Sequence, residues 1–463
     1  MSGARRVAVL GLGRSGVAAA RLALKHDREV FASESADDVR ARDAADVVRA
    51  AGGEAETGGH TVAEIARCDL LVVSPGIPPT APVLQDPGVR AVPTVSELEF
   101  AYRHLNRPVI AVTGTNGKTT TTALIAHLLT AAGVDAVAAG NIGRALSDVA
   151  AQDEVAAWIV VEASSYQLAG IDRFRADVGV VTNLAPDHLD RYATVEAYYA
   201  DKRRLFENAD DDSVWVLNGD DPRVLDLAGA APGRRLVFRV AGPLDAGVDG
   251  AHVEHDGTLA LRIKDRVMPL LKTDELPLLG AHNRANALAA ALAAFAVLQA
   301  PESLSEALRT FRAPPHRLEP VGESHGVLWI NDSKATNLAS TRVALRSVDR
   351  PTVLLLGGRH KGEPYTGLLP DLGRVRTVVA YGEAARLIEA QLGEYVPVRR
   401  VDGPFEEVVA AAAELARSGD VVLLSPACSS FDMFRDYEER GEAFRRLARR
   451  SNGTVERSAE VGG

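Results

Sequence analysis

The chain has 463 residues, 46% of them hydrophobic and 25% charged, with a formal net charge of −10. That length exceeds what one hydrophobic core usually supports, so about two to four domains are expected. The acidic balance argues against a nucleic-acid or membrane surface, and Cys68 and Cys428 are too few for a disulfide framework and fit a reducing cytoplasm.

Residues 7–10 read as a short buried strand, and Gly11-Leu12-Gly13-Arg14-Ser15-Gly16 then opens a helix to Leu24. The glycines interrupt the apolar run so early that it reads as a first strand and not as a leader peptide. The turn has the spacing of a dinucleotide fingerprint, and Glu34 closes the next strand near the place of a ribose-binding acid. It equally serves any ligand whose phosphates rest on a helix N-terminus, so NAD, FAD and other phosphorylated ligands stay open here. A strand over 69–73 runs into Ser74-Pro75-Gly76, which puts Ser74 on the ligand edge of an open α/β sheet.

The next apolar strand, 108–112, leads into Thr113-Gly114-Thr115-Asn116-Gly117-Lys118-Thr119-Thr120 and a helical run over 121–132. Backbone N–H groups at such a helix start point at an anion, Lys118 supplies a mobile cation, and the Thr119 hydroxyl can ligate magnesium. Valine at position 112, where the usual loop has its first glycine, leaves a shortened phosphate loop. Gly140-Asn141-Ile142-Gly143 follows another strand, and Trp158-Ile159-Val160-Val161 ends in Glu162, a carboxylate placed to hold magnesium or orient water. The buried strand 178–182 ends in a cluster with Asp187, His188 and Asp190, which suits a metal or phosphate role for His188. Lys202 follows on a helix, and its spacing alone suggests a solvent-exposed cation.

Strand and helix signals alternate again over 214–240, and 251–263 reads as a β-hairpin, a small sheet beside the main one. Gly280 to Asn286 opens an alanine-rich helix to Ala300, where Asn283 and Asn286 can cap the helix or reach a base. Its apolar run, 287–298, is too short to span a bilayer and reads as a buried helix. Beyond a proline hinge at 312–315, strands at 327–330, 352–356, 377–381 and 421–424 put polar or basic residues on one edge. Lys334 and Lys361, with Arg317, point to an anion pocket there. The tail after Arg449 is polar and expected to fray.

The phosphate loop, Gly140-Asn-Ile-Gly, Glu162-Ala-Ser-Ser-Tyr-Gln-Leu, Asp187-His-Leu-Asp-Arg, His282-Asn-Arg-Ala-Asn, His316-Arg317, Asn331-Asp-Ser-Lys-Ala-Thr-Asn and Ser425-Pro-Ala-Cys-Ser-Ser together resemble the Mur ligase family over nearly the whole chain. Within it, the runs from Asn331 and Ser425 point to the glutamate-adding enzyme. The resemblance implies three α/β domains: an N-terminal Rossmann-like domain over 1–106 that binds a UDP-sugar, a central P-loop ATPase-like domain over 107–312 with a small additional β-sheet, and a C-terminal Rossmann-like domain over 313–463 that binds the amino acid. It implies an ATP-dependent amide ligase that joins D-glutamate to UDP-N-acetylmuramoyl-L-alanine through an acyl phosphate, for peptidoglycan precursor synthesis. The rival reading within the same chemistry is a ligase for L-glutamate or for another acceptor.

Carried onto this sequence, Lys118, Glu162, His188 and Lys202 would be catalytic. Gly114, Thr115, Asn116, Gly117, Lys118, Thr119 and Thr120, with Asn283, His316, Arg317 and Asp332, would bind ATP. Thr119, Glu162, His188 and Lys202 would supply two magnesium sites, with Lys202 carbamylated by carbon dioxide. Gly13, Arg14, Ser15, Ser74 and Asn141 would bind the UDP-sugar, and Lys334, Thr336, Lys361, Ser430, Phe431 and Tyr437 would bind D-glutamate. A cytoplasmic monomer is expected, with small-molecule substrates only and neither nucleic acid nor membrane as a partner.

Overall fold

The computed structural model describes residues 5–188, 191–278, 280–312 and 315–451. Asp190, the Ala313 and Pro314 of the expected hinge, and the tail from 452 lie outside the described residues. The chain divides into two compact units, the first drawn from residues up to 276 together with 284–311, the second from 277–283 together with 312 onward.

The first unit holds two sheets. One contains β1 (Arg6–Leu10), β2 (Glu29–Glu34), β3 (Glu54–Thr57), β4 (Leu70–Val73) and β5 (Thr94–Ser96), in the order β3-β2-β1-β4-β5 with all neighbours parallel. The other contains β6 (Val109–Thr113), β7 (Ala136–Gly140), β8 (Trp158–Glu162), β9 (Val178–Val181), β10 (Val214–Asn218), β11 (Arg234–Arg239), β12 (Gly250–Val253), β13 (Thr258–Ile263) and β14 (Arg266–Lys272). Their order is β14-β13-β12-β11-β10-β9-β6-β8-β7. The central strands of both sheets, such as Leu70–Val73 and residues 109–112, are unbroken apolar runs because helices cover a parallel sheet on both faces. One continuous core runs through the pair, from Val7 and Leu98 to Ile159 and Trp215.

The hairpin β12–β13 forms as expected, around a turn that includes Gly257. It does not make the separate small sheet anticipated from the sequence. β12 pairs parallel to β11, so the hairpin and β14 extend the central sheet. The helix Ala281–Leu298 is buried along 287–294, as its alanines allow.

The second unit is built on one sheet, with β15 (Glu319–Ser324), β16 (Val327–Asn331), β17 (Thr352–Gly357), β18 (Val375–Tyr381), β19 (Val398–Val401) and β20 (Val421–Leu424). Its order is β15-β16-β20-β17-β18-β19, and only β15 is antiparallel. Each face carries its own core, one around Leu354 and Leu368, the other around Trp329 and Phe444. The helix Tyr437–Ser451 supplies Phe444 to the second of these.

Candidate active site

The phosphate loop sits where a buried strand hands over to a helix. β6 ends at Thr113, the helix Lys118–Ala131 begins four residues after Gly114, and Gly114 and Gly117 take φ of 137° and 83°. A side chain at either glycine would collide with its support. A Cβ on Gly114 would lie 2.0 Å from Thr182 Oγ1, and one on Gly117 would lie 2.3 Å from Asn286 Oδ1. Thr182 Oγ1 donates to the Asn116 carbonyl (2.6 Å), Asn183 Nδ2 donates to the same oxygen (3.0 Å), and the Asn116 N–H donates to Asn183 Oδ1 (3.0 Å). These contacts fix the loop from one side, and the first-turn N–H groups of the helix stay without intrahelical acceptors, the arrangement that binds anions.

Two lysines meet on this loop. Lys118 Nζ donates to the carbonyls of Gly114 (2.9 Å) and Thr115 (2.7 Å), and Lys202 Nζ donates to the same Gly114 oxygen (2.8 Å). Lys202 is 1% exposed, which corrects the solvent-exposed cation expected from its spacing. On the helix Val195–Arg203 it follows Tyr198 by one turn, and both face inward, with the amine 4.4 Å from the Tyr198 ring centre. Burial, and then the charge of Lys118, push the Lys202 amine well below its ordinary pKa, against the opposing pull of Asp187, Asp201 and Glu162. Burial at the phosphate loop thus disfavours the charged form of this amine.

Glu162 ends β8 and is 2% exposed. Its Oε1 accepts from Asn141 Nδ2 (3.0 Å), while Oε2 is buried without a hydrogen-bond partner. His188 has a left-handed backbone, φ 56°, and its ring lies 5.1 Å from that of Tyr166 and 5.9 Å from that of Tyr198, centre to centre. Thr119 is buried in the first turn of the helix. Among the described residues no three His, Cys, Asp or Glu side chains converge on a ready-made metal site. An orphaned carboxylate oxygen and the threonine hydroxyl fit magnesium, which prefers oxygen ligands.

At the first sheet, Gly13, Arg14, Ser15 and Ser74 line one cavity of about 720 Å³. Ser74 Oγ donates to the Gly11 carbonyl (2.9 Å), and the Glu34 carboxylate accepts from the N–H groups of Leu12 (2.8 Å) and Ala36 (3.1 Å). Burial works against ionisation of Glu34, but these backbone donors prevail and hold its pKa below the usual range. Glu34 therefore braces the glycine turn. Asn141 is not part of this cavity's lining, and its Nδ2 donates to Glu162 Oε1.

The remaining predicted residues fall in the second unit, apart from the phosphate loop. His316 is buried, with Nδ1 accepting from Asn331 Nδ2 (3.0 Å). Asp332 accepts from the Leu318 N–H (3.2 Å) and Ser425 Oγ (2.9 Å), and burial raises it to about 7. Arg317 contributes a nearby positive charge to it, and Asn283 is buried in the first turn of the helix Ala281–Leu298. Lys361 Nζ donates to Thr336 Oγ1 (3.4 Å), and Lys334 Nζ lies 5.2 Å from the Tyr437 ring centre. Ser430 is buried and Phe431 is 60% exposed.

Residues 5–96 match the Mur ligase MurD-like N-terminal domain, 112–294 the Mur ligase middle domain, and 316–428 the Mur ligase glutamate ligase domain. A protein of Salinibacter ruber named UDP-N-acetylmuramoylalanine--D-glutamate ligase is 43% identical over 450 residues, covering 96% of this chain and 97% of its own. The chain belongs to the Mur ligase family. A protein of Anaeromyxobacter dehalogenans with the same name is 44% identical over 451 residues, again covering 96% of this chain and 97% of its own. The fold is also that of the solved UDP-N-acetylmuramate-alanine ligase of Thermotoga maritima, at 19% identity, with a TM-score of 0.61 and coverage of 96% and 99%.

Two residues support these motifs in ways the sequence does not announce: Asn286, read there as a cap or base contact, in the first unit, and Arg440 in the second. Asn286 accepts from Thr121 Oγ1 (3.3 Å) and backs Gly117. Arg440, fully buried, donates from Nη2 to the carbonyls of Ser333 (2.8 Å) and Cys428 (3.2 Å) and from Nε to Ser333 Oγ (3.0 Å). It thereby ties together the two runs from Asn331 and Ser425.

Proposed function

We propose that this chain joins D-glutamate to UDP-N-acetylmuramoyl-L-alanine at the expense of ATP, in the cytoplasm and as a monomer. The observation that carries the reading is the identity of 43–44% across 96% of the chain to relatives bearing that activity in their names. In this reading residues 1–106 bind the UDP-sugar, 107–312 bind ATP, and 313–463 bind the amino acid.

The terminal phosphoryl group of ATP passes to the alanyl carboxylate, giving an acyl phosphate and ADP. The amine of D-glutamate then attacks the acyl carbon, loses a proton, and expels inorganic phosphate as the amide forms. Such a transfer needs positioning and charge neutralisation more than covalent help. Lys118 swings from the loop carbonyls to the phosphates, which the N–H groups from Gly114 to Thr120 cradle. Asn283, His316, Arg317 and Asp332 hold the rest of the nucleotide. Gly13, Arg14, Ser15, Ser74 and Asn141 hold the nucleotide-sugar. Lys334, Thr336, Lys361, Ser430, Phe431 and Tyr437 receive the two carboxylates and the carbon chain of D-glutamate.

Thr119 would hold one magnesium, and Glu162, His188 and Lys202 a second. Magnesium supplies charge neutralisation at the phosphoryl and acyl oxygens when bound. The lowered pKa of the buried Lys202 amine favours the unprotonated form, which is the nucleophile toward carbon dioxide. Its nitrogen bonds to the carbon, a proton leaves, and the resulting carbamate turns the amine into an oxygen ligand. The unpartnered Glu162 oxygen, whose charge acts on the Lys202 amine, supports this reading.

The test is phosphate release with UDP-N-acetylmuramoyl-L-alanine and, in turn, D-glutamate, L-glutamate, L-lysine or diaminopimelate. Release should require the nucleotide-sugar and be fastest with D-glutamate. Equal rates with all four amino acids, or release without the nucleotide-sugar, would defeat the assignment.

A further inference from the structure

A second cavity, of about 280 Å³, lies at the opposite end of the first sheet from the glycine turn. Val7 and Leu70, which line it, stand at or near the starts of β1 and β4, whereas Gly11 and Ser74 follow the ends of those strands. Strand geometry separates the two ends by roughly 15 Å. The volume is below the roughly 300–1,000 Å³ of pockets for drug-sized ligands, so the cavity suits a single ring system and not a nucleotide.

Its walls divide by chemistry. Val7, Leu70 and Phe100 give a buried apolar floor, and Arg28, Arg103 and Arg173 give a cationic rim. Two of these charges are already matched. Arg103 pairs with Glu99 (2.5 Å) and Asp172 (2.8 Å), and Arg173 lies 3.7 Å from Asp172. The Arg28 guanidinium makes no hydrogen bond or ion pair among the described residues, although the side chain is only partly exposed.

Aromatic groups complete the site. The His104 ring lies 4.8 Å from Phe100 and 4.5 Å from His26, centre to centre, and its Nδ1–H donates to the Phe100 carbonyl (2.8 Å). Burial lowers the pKa of His104, and the charges of His26, Arg28 and Arg103 lower it further, which marks the positive potential of the cavity. The chain carries a net charge of −10, yet this ring-lined recess is lined by three arginines. A flat ring can lie against these aromatic faces while its anionic group meets the Arg28 guanidinium, which has no ion-pair partner among the described residues.

We infer that this cavity is a binding site for a small aromatic carboxylate, with Arg28 as the carboxylate anchor and Phe100 and His104 as the ring contacts. The inference is independent of the ligase reading, since it uses none of the residues assigned to ATP, nucleotide-sugar or amino acid.

The probe is benzoate, titrated into the full chain by calorimetry and by ligand-observed NMR, with benzyl alcohol as the uncharged comparison. Benzoate should bind saturably with a Kd of about 1 mM or tighter, a range open to a ligand of that size. Benzyl alcohol should bind at least about tenfold more weakly, as expected when a charge-assisted hydrogen bond is lost. Arg28→Ala should weaken benzoate by a similar factor, Arg28→Lys should recover part of it, and both variants should keep the wild-type melting curve and phosphate-release rate. UDP should not displace benzoate. The absence of saturable benzoate binding, equal affinity for benzyl alcohol, unchanged binding by Arg28→Ala, or displacement by UDP would each overturn the assignment.

Discussion

Replacing Lys202 by methionine separates what this residue does for the fold from what it does for the reaction. Methionine has nearly the same length and volume and no polar nitrogen. Taking a buried amine out of the phosphate-loop core removes a desolvation penalty of about 1–3 kcal/mol. The one hydrogen bond lost is to Gly114 O, and Lys118 still donates to that oxygen at 2.9 Å. No buried acceptor is orphaned, so the loss is about 1 kcal/mol. The balance predicts a variant as stable as the wild type or more stable by about 1 kcal/mol. Ligase activity should nonetheless fall by at least about a hundredfold, the scale of losing a group that stabilises developing charge. The stability arm is read by urea unfolding in metal-free buffer purged of carbon dioxide, and the activity arm by phosphate release. A loss of more than about 2 kcal/mol would refute the argument, because it would make the amine a structural hub. The same buffer permits a pH test. The folded-state pKa is lowered from 10.5, so above that lowered value the unfolded chain binds the extra proton. Wild-type stability should therefore rise with pH toward 10.5 relative to Lys202→Met, and a parallel pair of curves would contradict the burial effect.

Gly117→Ala should be destabilising by about 2 kcal/mol or more, from left-handed strain and from contact with Asn286. Adding Asn286→Ala should remove the contact and leave only the strain, giving a favourable coupling of about 1 kcal/mol in a double-mutant cycle, whereas simple additivity would deny the contact. Arg440→Met should raise the KM for D-glutamate about tenfold or more with a smaller change for ATP, because it releases both runs that Arg440 holds. Equal changes for the two substrates in steady-state kinetics would show a general loss of structure instead.

The residues at strand ends were readable because the chemistry and the local geometry coincide there. Thr113 to Thr120, Glu162 and Ser74 each follow an apolar run that fixes its own direction. Lys202 was harder, since a lysine on a short helix is ordinarily solvated. The available signal was Tyr198 four residues earlier, which places both side chains on one helix face. Asn286 and Arg440 act across 165 and 107 residues of sequence, on Thr121 and Ser333, and no local pattern announces such a partnership. Two of the strands that the sequence does not announce have equally physical reasons. β15 carries Pro320 and Gly322 on a sheet edge, and β19 exposes Arg399 and Arg400, so neither shows the apolar run that marks a central strand. The hairpin was found, but its attachment to β11 depends on pairing that a hairpin's own residues do not specify.

The buttress on Gly117 also bears on how the protein is made. Thr113 to Thr120 leave the ribosome long before Asn286, and the helix that carries Asn286 is synthesised after all nine strands of the central sheet. A nascent chain that stops short of that helix has the whole phosphate-loop motif without its rear support. The phosphate loop thus gains its rear support only when the first unit is nearly complete.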